Sequence, residues 1–414
     1  MSVIKNSLWN VAGYIIPAII TVPALGILGR VLGAETFGIF TLAMAIVGYA
    51  SIFDVGLSRA VIREIALFRN DNEEKRKIIF TATLLVMVMG VIASFILYSS
   101  SDAITNLLKI SIGLHLSVVN SLKILSLSIP VFLITQIWLA ILEGEERFGV
   151  LNIYKSVTGS LLSLLPVGFI LVSPTIEYAI SGLVISRLIC LVFAFFLCRE
   201  ILVESLFRFS KITLKRMLMF GGWITISNII SPLMAYFDRF IVSNQLGAAM
   251  VAFYTAPSEI IARLGIVPGA FARAIFPRLS SSKNVHDRKK NKNLVTVILF
   301  LITFPIFVVG SIVSDKFMIL WMGPEFSGTS ATILIILLIG FVFNSLAQVP
   351  FASIQSRGYA KITAYIHMLE LIPYLLVLFY FIKSFGVVGA AYAWSIRVTV
   401  DYILLSFIDR CFDR

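Results

Sequence analysis

The chain has few of the residue types from which soluble catalytic sites are built. Its 414 residues include only 3 cysteines and 3 histidines, too few for a disulfide framework and without the spacing of metal ligands. Charged residues make up 14% of the chain, against roughly 25% in soluble domains. No Gly-x-x-x-x-Gly-Lys-Ser/Thr phosphate-binding loop occurs, so hydrolysis of ATP is not expected. We therefore expect no bound metal and no cofactor.

Apolar residues dominate instead, at 59% of the chain with a mean hydropathy of +0.97. A soluble protein of this composition could not cover its apolar surface. A bilayer core about 30 Å thick needs ~20 apolar residues as a helix, and the continuous apolar runs do not alternate as barrel strands do. The sequence predicts an all-α integral membrane protein of about 12 transmembrane helices. The predicted spans are 8–31, 37–58, 78–98, 121–142, 150–172, 177–198, 217–242, 248–270, 294–314, 328–351, 361–382 and 387–408.

Basic residues mark one side of the membrane. The formal net charge of +12 comes from Lys and Arg grouped in the connections that follow the second, sixth and eighth spans. This placement argues against nucleic acid as a partner and follows the positive-inside pattern. We predict that both termini are cytoplasmic. The first apolar run is too long for a signal peptide, so we expect that helix to be retained.

An offset of 214 residues superimposes the two halves of the sequence. It aligns Leu32-Gly33-Ala34 with Leu246-Gly247-Ala248, Phe40 with Tyr254, and Gly144 with Gly358. The constant offset predicts two parallel-repeat six-helix bundles, at 1–198 and 217–414, with the substrate path between them. The basic segment 199–216 would join the bundles, either as an amphipathic bridge at the cytoplasmic surface or as an ordinary loop.

Three stretches carry a family resemblance. They are Gly29-Arg30-Val31-Leu32-Gly33-Ala34-Glu35-Thr36-Phe37-Gly38-Ile39-Phe40, Asp54-Val55-Gly56-Leu57-Ser58-Arg59-Ala60 followed by Arg63-Glu64, and Glu143-Gly144-Glu145-Glu146-Arg147-Phe148. With them the whole chain resembles the polysaccharide-export family of the MOP superfamily, in particular the O-antigen flippases of Wzx type. The resemblance implies an inner-membrane protein that moves undecaprenyl-diphosphate-linked oligosaccharide by alternating access. It implies this lipid-linked oligosaccharide and membrane lipid as partners, together with other polysaccharide-assembly membrane proteins.

Deep arginines are the main candidates to bind a diphosphate. Arg187, Arg263 and Arg397 lie near the middle of predicted spans, where each would cost about 2.5–3.5 kcal/mol if it faced lipid. A planar guanidinium also suits a phosphate group. The alternative is local pairing, because Arg263 and Arg397 stand i,i+4 from Glu259 and Asp401.

Three further arginines are weaker candidates. Arg30 lies near an outer helix end, where its side chain could extend to the interface. Arg59 and Arg63 lie at the predicted inner mouth, where the positive-inside pattern explains them equally well.

Coupling to a proton or sodium gradient would need a deep carboxylate, and the candidates are Glu259, Glu370 and Asp401. Burial favours the neutral form of a carboxylate and a neighbouring arginine opposes it. Glu370 has no oppositely charged neighbour in sequence, so it is the preferred proton carrier.

Three other functions compete with this interpretation. A drug or cation exporter of the same superfamily would be expected to have a more acidic cavity. A membrane glycan-assembly enzyme would be expected to show an Asp-x-Asp metal site or a large outer loop, and the sequence has neither. A scaffolding subunit would have little use for arginines within the membrane.

Overall fold

The computed structural model describes the backbone of residues 3–281 and 285–412. Within these ranges it describes the side chains of residues 16–221, 236–272, 275, 279, 286–359 and 361–412. This part of the chain contains helices and no strand, which confirms the predicted all-α class. The α-helices are α1 Val3–Ala50, α2 Leu57–Leu67, α3 Asn72–Leu107, α4 Ile112–Ser126, α5 Ser128–Gly144, α6 Phe148–Ile170, α7 Ile176–Glu204, α8 Lys211–Leu246, α9 Ala248–Leu264, α10 Ile266–Ser281, α11 Val285–Met322, α12 Thr329–Ser356, α13 Ala360–Phe385 and α14 Val388–Phe412. Short 3-10 segments occupy Ser51–Asp54 and Pro324–Phe326.

Ten helical segments in the described part are long and apolar enough to cross a membrane. The chain is therefore a multi-pass membrane protein. The predicted spans 8–31 and 37–58 both fall within α1. The predicted span 217–242 falls on α8, where most side chains lie outside the described set. The predicted number of twelve spans stays a prediction.

α1 is interrupted at Gly33. The helix has 48 residues, which at 1.5 Å per residue is roughly 70 Å, about twice the hydrocarbon thickness of a bilayer. Gly33 has φ 73° and ψ 169°, a conformation that is essentially restricted to glycine. Gly247, which precedes α9, has φ 91° and ψ 162°. The two glycines lie 214 residues apart and form the same kind of break.

The chain divides into two compact units, Met1–Phe240 and Ile241–Arg414. The boundary lies inside α8, downstream of the predicted linker at 199–216. The start of α8 packs within the N-terminal unit, where Arg216 forms ion pairs with Glu64 of α2 and with Glu74 of α3. The predicted bundle boundaries at 198 and 217 stay predictions about sequence halves.

The turns that follow α5 and α12 have the same hydrogen bonding. Arg147 N donates to Leu142 O at 2.8 Å, and Tyr359 N donates to Ile354 O at 3.3 Å. The left-handed residue is Glu146 (φ 59°) in the first turn and Gly358 (φ 88°) in the second. The backbone therefore equates Gly358 with Glu146, and not with Gly144 as the constant offset predicts. A two-residue difference in loop length before this turn accounts for the shift.

Candidate functional site

The C-terminal unit holds a cluster of ionisable side chains within two helices that are long enough to span a membrane. His367 and Glu370 lie one turn apart on α13, and Arg397 and Asp401 lie one turn apart on α14. These i,i+3 and i,i+4 spacings place each pair on one face of its helix. His367 Nε2 lies 3.5 Å from Asp401 Oδ1, and the Asp401 side chain is 15% exposed. We call these four residues the α13–α14 cluster.

Aromatic rings flank the α13–α14 cluster. The Phe351 ring stacks on His367 with centroids 5.7 Å apart and an interplanar angle of 9°. The Arg397 guanidinium lies 5.2 Å from the centroid of Tyr374. These contacts restrict the imidazole and the guanidinium to one orientation each, so the cation and the carboxylates are held near one another without a bidentate ion pair.

Glu370 completes the cluster. It interacts electrostatically with Asp401, His367 and Arg397. Glu370 Oε1 and Arg397 Nε are buried and have no hydrogen-bond partner among the described residues. Buried polar atoms are normally satisfied by protein, water or a bound ion. Repulsion between two neighbouring carboxylates is relieved when one of them binds a proton or another cation. The cluster can therefore bind a cation chemically.

Sequence reasoning found Glu370, Asp401 and Arg397 but missed His367. The histidines were tested only for metal-ligand spacing, whereas His367 stands i,i+3 from Glu370. That helical spacing was the available signal. The proximity of Glu370 to Asp401 and Arg397, from another helix, had no signal in the sequence.

Arg263 forms the local pair that its spacing predicts. Its Nη2 donates to Glu259 Oε2 at 3.3 Å within α9. The side chains are 36% and 20% exposed. Arg263 is therefore largely neutralised within its own helix, and Glu259 is engaged by that arginine.

Arg187 has a different environment, within the N-terminal unit. Its guanidinium lies 4.9 Å from the centroid of Phe132, on the α7 face that carries Cys190. Tyr154 of α6 donates to the Cys190 carbonyl oxygen at 3.0 Å. Arg187 Nε is buried without a hydrogen-bond partner, and no carboxylate among the described residues forms an ion pair with it. Arg187 is thus a cation that aromatic and neutral groups surround.

The remaining predicted arginines are more exposed and lie at helix ends. Arg59 lies 3.9 Å from Glu143. Arg63 donates to Glu64 at 2.8 Å, and its guanidinium lies 4.7 Å from the Phe220 ring. Arg30 is exposed and lies just before the break at Gly33. The structure does not bring these three arginines into the surroundings of Arg187.

Comparisons with known proteins identify the family. Residues 3–283 match the family described as polysaccharide biosynthesis protein. A Shigella flexneri protein named "Putative O-antigen transporter" is 47% identical over 408 residues, which are 99% of this chain and 98% of that protein. The chain belongs to the polysaccharide biosynthesis protein family. The family resemblance predicted from the sequence is confirmed.

Solved structures show the fold of this polysaccharide biosynthesis protein. A multidrug resistance MATE family transporter of the MOP superfamily, in an inward-facing conformation, matches it with a TM-score of 0.77 at 18% identity and with coverage of 100% and 95%. The lipid II flippase MurJ, in an inward closed conformation, matches it with a TM-score of 0.75 at 19% identity and with coverage of 97% and 87%. At these identities the likeness concerns the fold alone.

Proposed function

We propose that this polysaccharide biosynthesis protein is a flippase, which moves undecaprenyl-diphosphate-linked oligosaccharide across the bacterial inner membrane by alternating access. The observation that carries the proposal is the 47% identity, over nearly the full length of both chains, to a protein named as an O-antigen transporter. The proposal makes the protein a transporter without catalytic residues. Both termini are cytoplasmic, and other polysaccharide-assembly membrane proteins are expected partners.

The substrate sets a physical problem that Arg187 helps to solve. A prenyl tail stays in lipid, but a charged head group must cross about 30 Å of hydrocarbon. Arg187 lies within a membrane-long helix and has no carboxylate partner among the described side chains. A guanidinium in such surroundings suits a phosphate group, because it can donate two parallel hydrogen bonds. In this proposal Arg187 contacts the diphosphate during its passage, while Arg263 and Arg397 have secondary roles.

Energy for transport comes from a proton or sodium gradient in this proposal. The α13–α14 cluster supports it, because Glu370 and Asp401 are neighbouring carboxylates within membrane-long helices. Binding of one cation removes their mutual repulsion. Glu259 is a weaker candidate because Arg263 already engages it.

The flippase proposal is tested with purified protein in proteoliposomes that contain lipid-linked oligosaccharide. The measurement is the fraction of oligosaccharide that becomes accessible on the opposite face. We expect Arg187→Gln to slow flipping by roughly tenfold to a hundredfold, since a hydrogen bond to a charged group contributes about 1.5–3 kcal/mol and each ~1.4 kcal/mol is a factor of ten in rate. Arg199→Gln, at an exposed position of the same helix, is the matched control.

Three outcomes would contradict the proposal. Wild-type protein that exports lipophilic cations and leaves lipid-linked oligosaccharide in place would be a drug exporter. Formation of a new covalent glycan product would indicate an enzyme. Normal flipping by a well-folded Arg187→Gln variant would remove Arg187 from the mechanism.

A further inference from the structure

The connection between α7 and α8 exposes apolar and basic side chains together. We define the α7–α8 surface as Val203, Leu206, Phe207, Phe209, Lys211, Ile212, Lys215 and Met219. Its most exposed apolar members are Phe207, at 88%, and Ile212, at 79%. Lys211 and Lys215 are exposed one turn apart, and neither forms an ion pair with a described residue. Cations of this kind next to bare apolar groups need a partner that is both anionic and apolar.

The opposite face of the same segment is anchored to α3. Thr213 Oγ1 donates to Glu74 Oε1 at 3.0 Å, and Ser210 N donates to Thr81 Oγ1 at 3.1 Å. Thr213 is fully buried. Because these bonds determine which face points inward, the exposed face does not result from a loosely attached loop.

The depth of the α7–α8 surface follows from its contact with α3. That helix changes from charged to apolar between Lys77 and Ile78. The rings of Phe207 and Phe80 lie 6.2 Å apart, so Phe207 stands at the level of this change. The charged-to-apolar boundary of a membrane helix lies at the bilayer interface, where aromatic side chains are enriched. Both ends of the connection also continue into helices of membrane length.

We propose that the α7–α8 surface binds the anionic phospholipid headgroups of the leaflet that it faces. Phe207 and Ile212 insert among the upper acyl chains, as the apolar face of an interfacial helix does. Lys211 and Lys215 lie above them and pair with lipid phosphates, which attract basic residues near a membrane surface. This surface is a lipid-binding site in addition to any substrate path, and it does not depend on the proposed flippase function.

Insertion depth is tested by spin labels on the full-length protein in nanodiscs. The labels are attached at Phe207→Cys and, separately, at Ile212→Cys in a Cys411→Ser background, since the other two cysteines are buried. We expect both labels to collide more with oxygen than with a water-soluble nickel chelate. Asn70→Cys, exposed in the polar turn between α2 and α3, is the aqueous control. Labels that match this control at both positions would overturn the proposal.

Charge dependence is tested by melting temperature in two kinds of nanodisc. One contains phosphatidylcholine alone, and the other an equimolar mixture with phosphatidylglycerol. We expect the anionic lipid to raise the melting temperature of the wild type. The Lys211→Gln/Lys215→Gln variant should lose this rise, whereas Lys316→Gln/Lys383→Gln, which removes two exposed lysines of the C-terminal unit, should keep it. No rise in the wild type, or an equal effect of the two double variants, would overturn the proposal.

Discussion

Among single residues, Glu370 gives the sharpest test of ion coupling. It lies beside Asp401, with His367 and Arg397 in electrostatic range. We expect Glu370→Gln or Asp401→Asn to reduce gradient-driven transport by about tenfold or more, which corresponds to ~1.4 kcal/mol. The reason is that an amide keeps the shape of the carboxylate but cannot take up and release a proton. The measurement is the flipping rate in proteoliposomes with and without an imposed gradient.

The control for this test is Glu200→Gln, which removes an exposed carboxylate near the end of α7. It should leave the response to the gradient intact. Gradient-driven rates that survive in both Glu370→Gln and Asp401→Asn would show that the α13–α14 cluster does not couple transport to an ion.

Among helical elements, the break in α1 depends on Gly33. Its φ of 73° and ψ of 169° cost an L-residue about 1–3 kcal/mol, while no atom lies within 4 Å of an added Cβ. We therefore expect Gly33→Ala to lower the stability of the protein by that amount through the backbone alone, measured as a lower melting temperature in detergent. Gly149→Ala is the matched control, because Gly149 also has open space around it but lies inside α6. Equal melting temperatures for the two variants would contradict the argument.

The attachment of α8 to α2 depends on Glu64. Its side chain is only 1% exposed, and it pairs with Arg63 and Arg216. We expect Glu64→Gln to destabilise the protein by about 1–3 kcal/mol. This is less than the 3–5 kcal/mol for breaking a fully buried pair, because Arg216 is 32% exposed and keeps Glu74 as a partner.

The comparison variant for Glu64 is Glu73→Gln. Glu73 is 54% exposed and pairs with Arg76 and Arg208, so its loss should cost no more than about 1 kcal/mol. Chemical or thermal unfolding in detergent measures both variants. Equal effects would mean that burial of Glu64 adds nothing to the interaction.

For the whole molecule, the positive-inside pattern predicts cytoplasmic termini, and one natural cysteine can test this. Cys411, near the C-terminus, is exposed, while Cys190 and Cys198 are buried. A membrane-impermeant maleimide should label inverted inner-membrane vesicles and leave intact spheroplasts unlabelled. Cys411→Ser should abolish the signal. Labelling of spheroplasts would place the C-terminus outside.

The sequence alone determined the class of this protein, its membrane-long helices and its family. Hydropathy is a local property, so each predicted span falls on a helix. Helical periodicity is local too, and it predicted the pair between Glu259 and Arg263 on one face of α9. The motifs around Gly33, Arg59 and Glu143 were sufficient for the family, because they are contiguous stretches of sequence.

Only the tertiary structure decided which polar groups meet across helices. It placed His367 and Glu370 beside Asp401, and it gave Arg216 two carboxylate partners more than 100 positions away in the chain. It also left Arg187 with an aromatic neighbour in place of a carboxylate. Such contacts depend on how helices pack and rotate about their axes. Apolar side chains on many faces are equally soluble in lipid, so hydropathy does not specify that rotation.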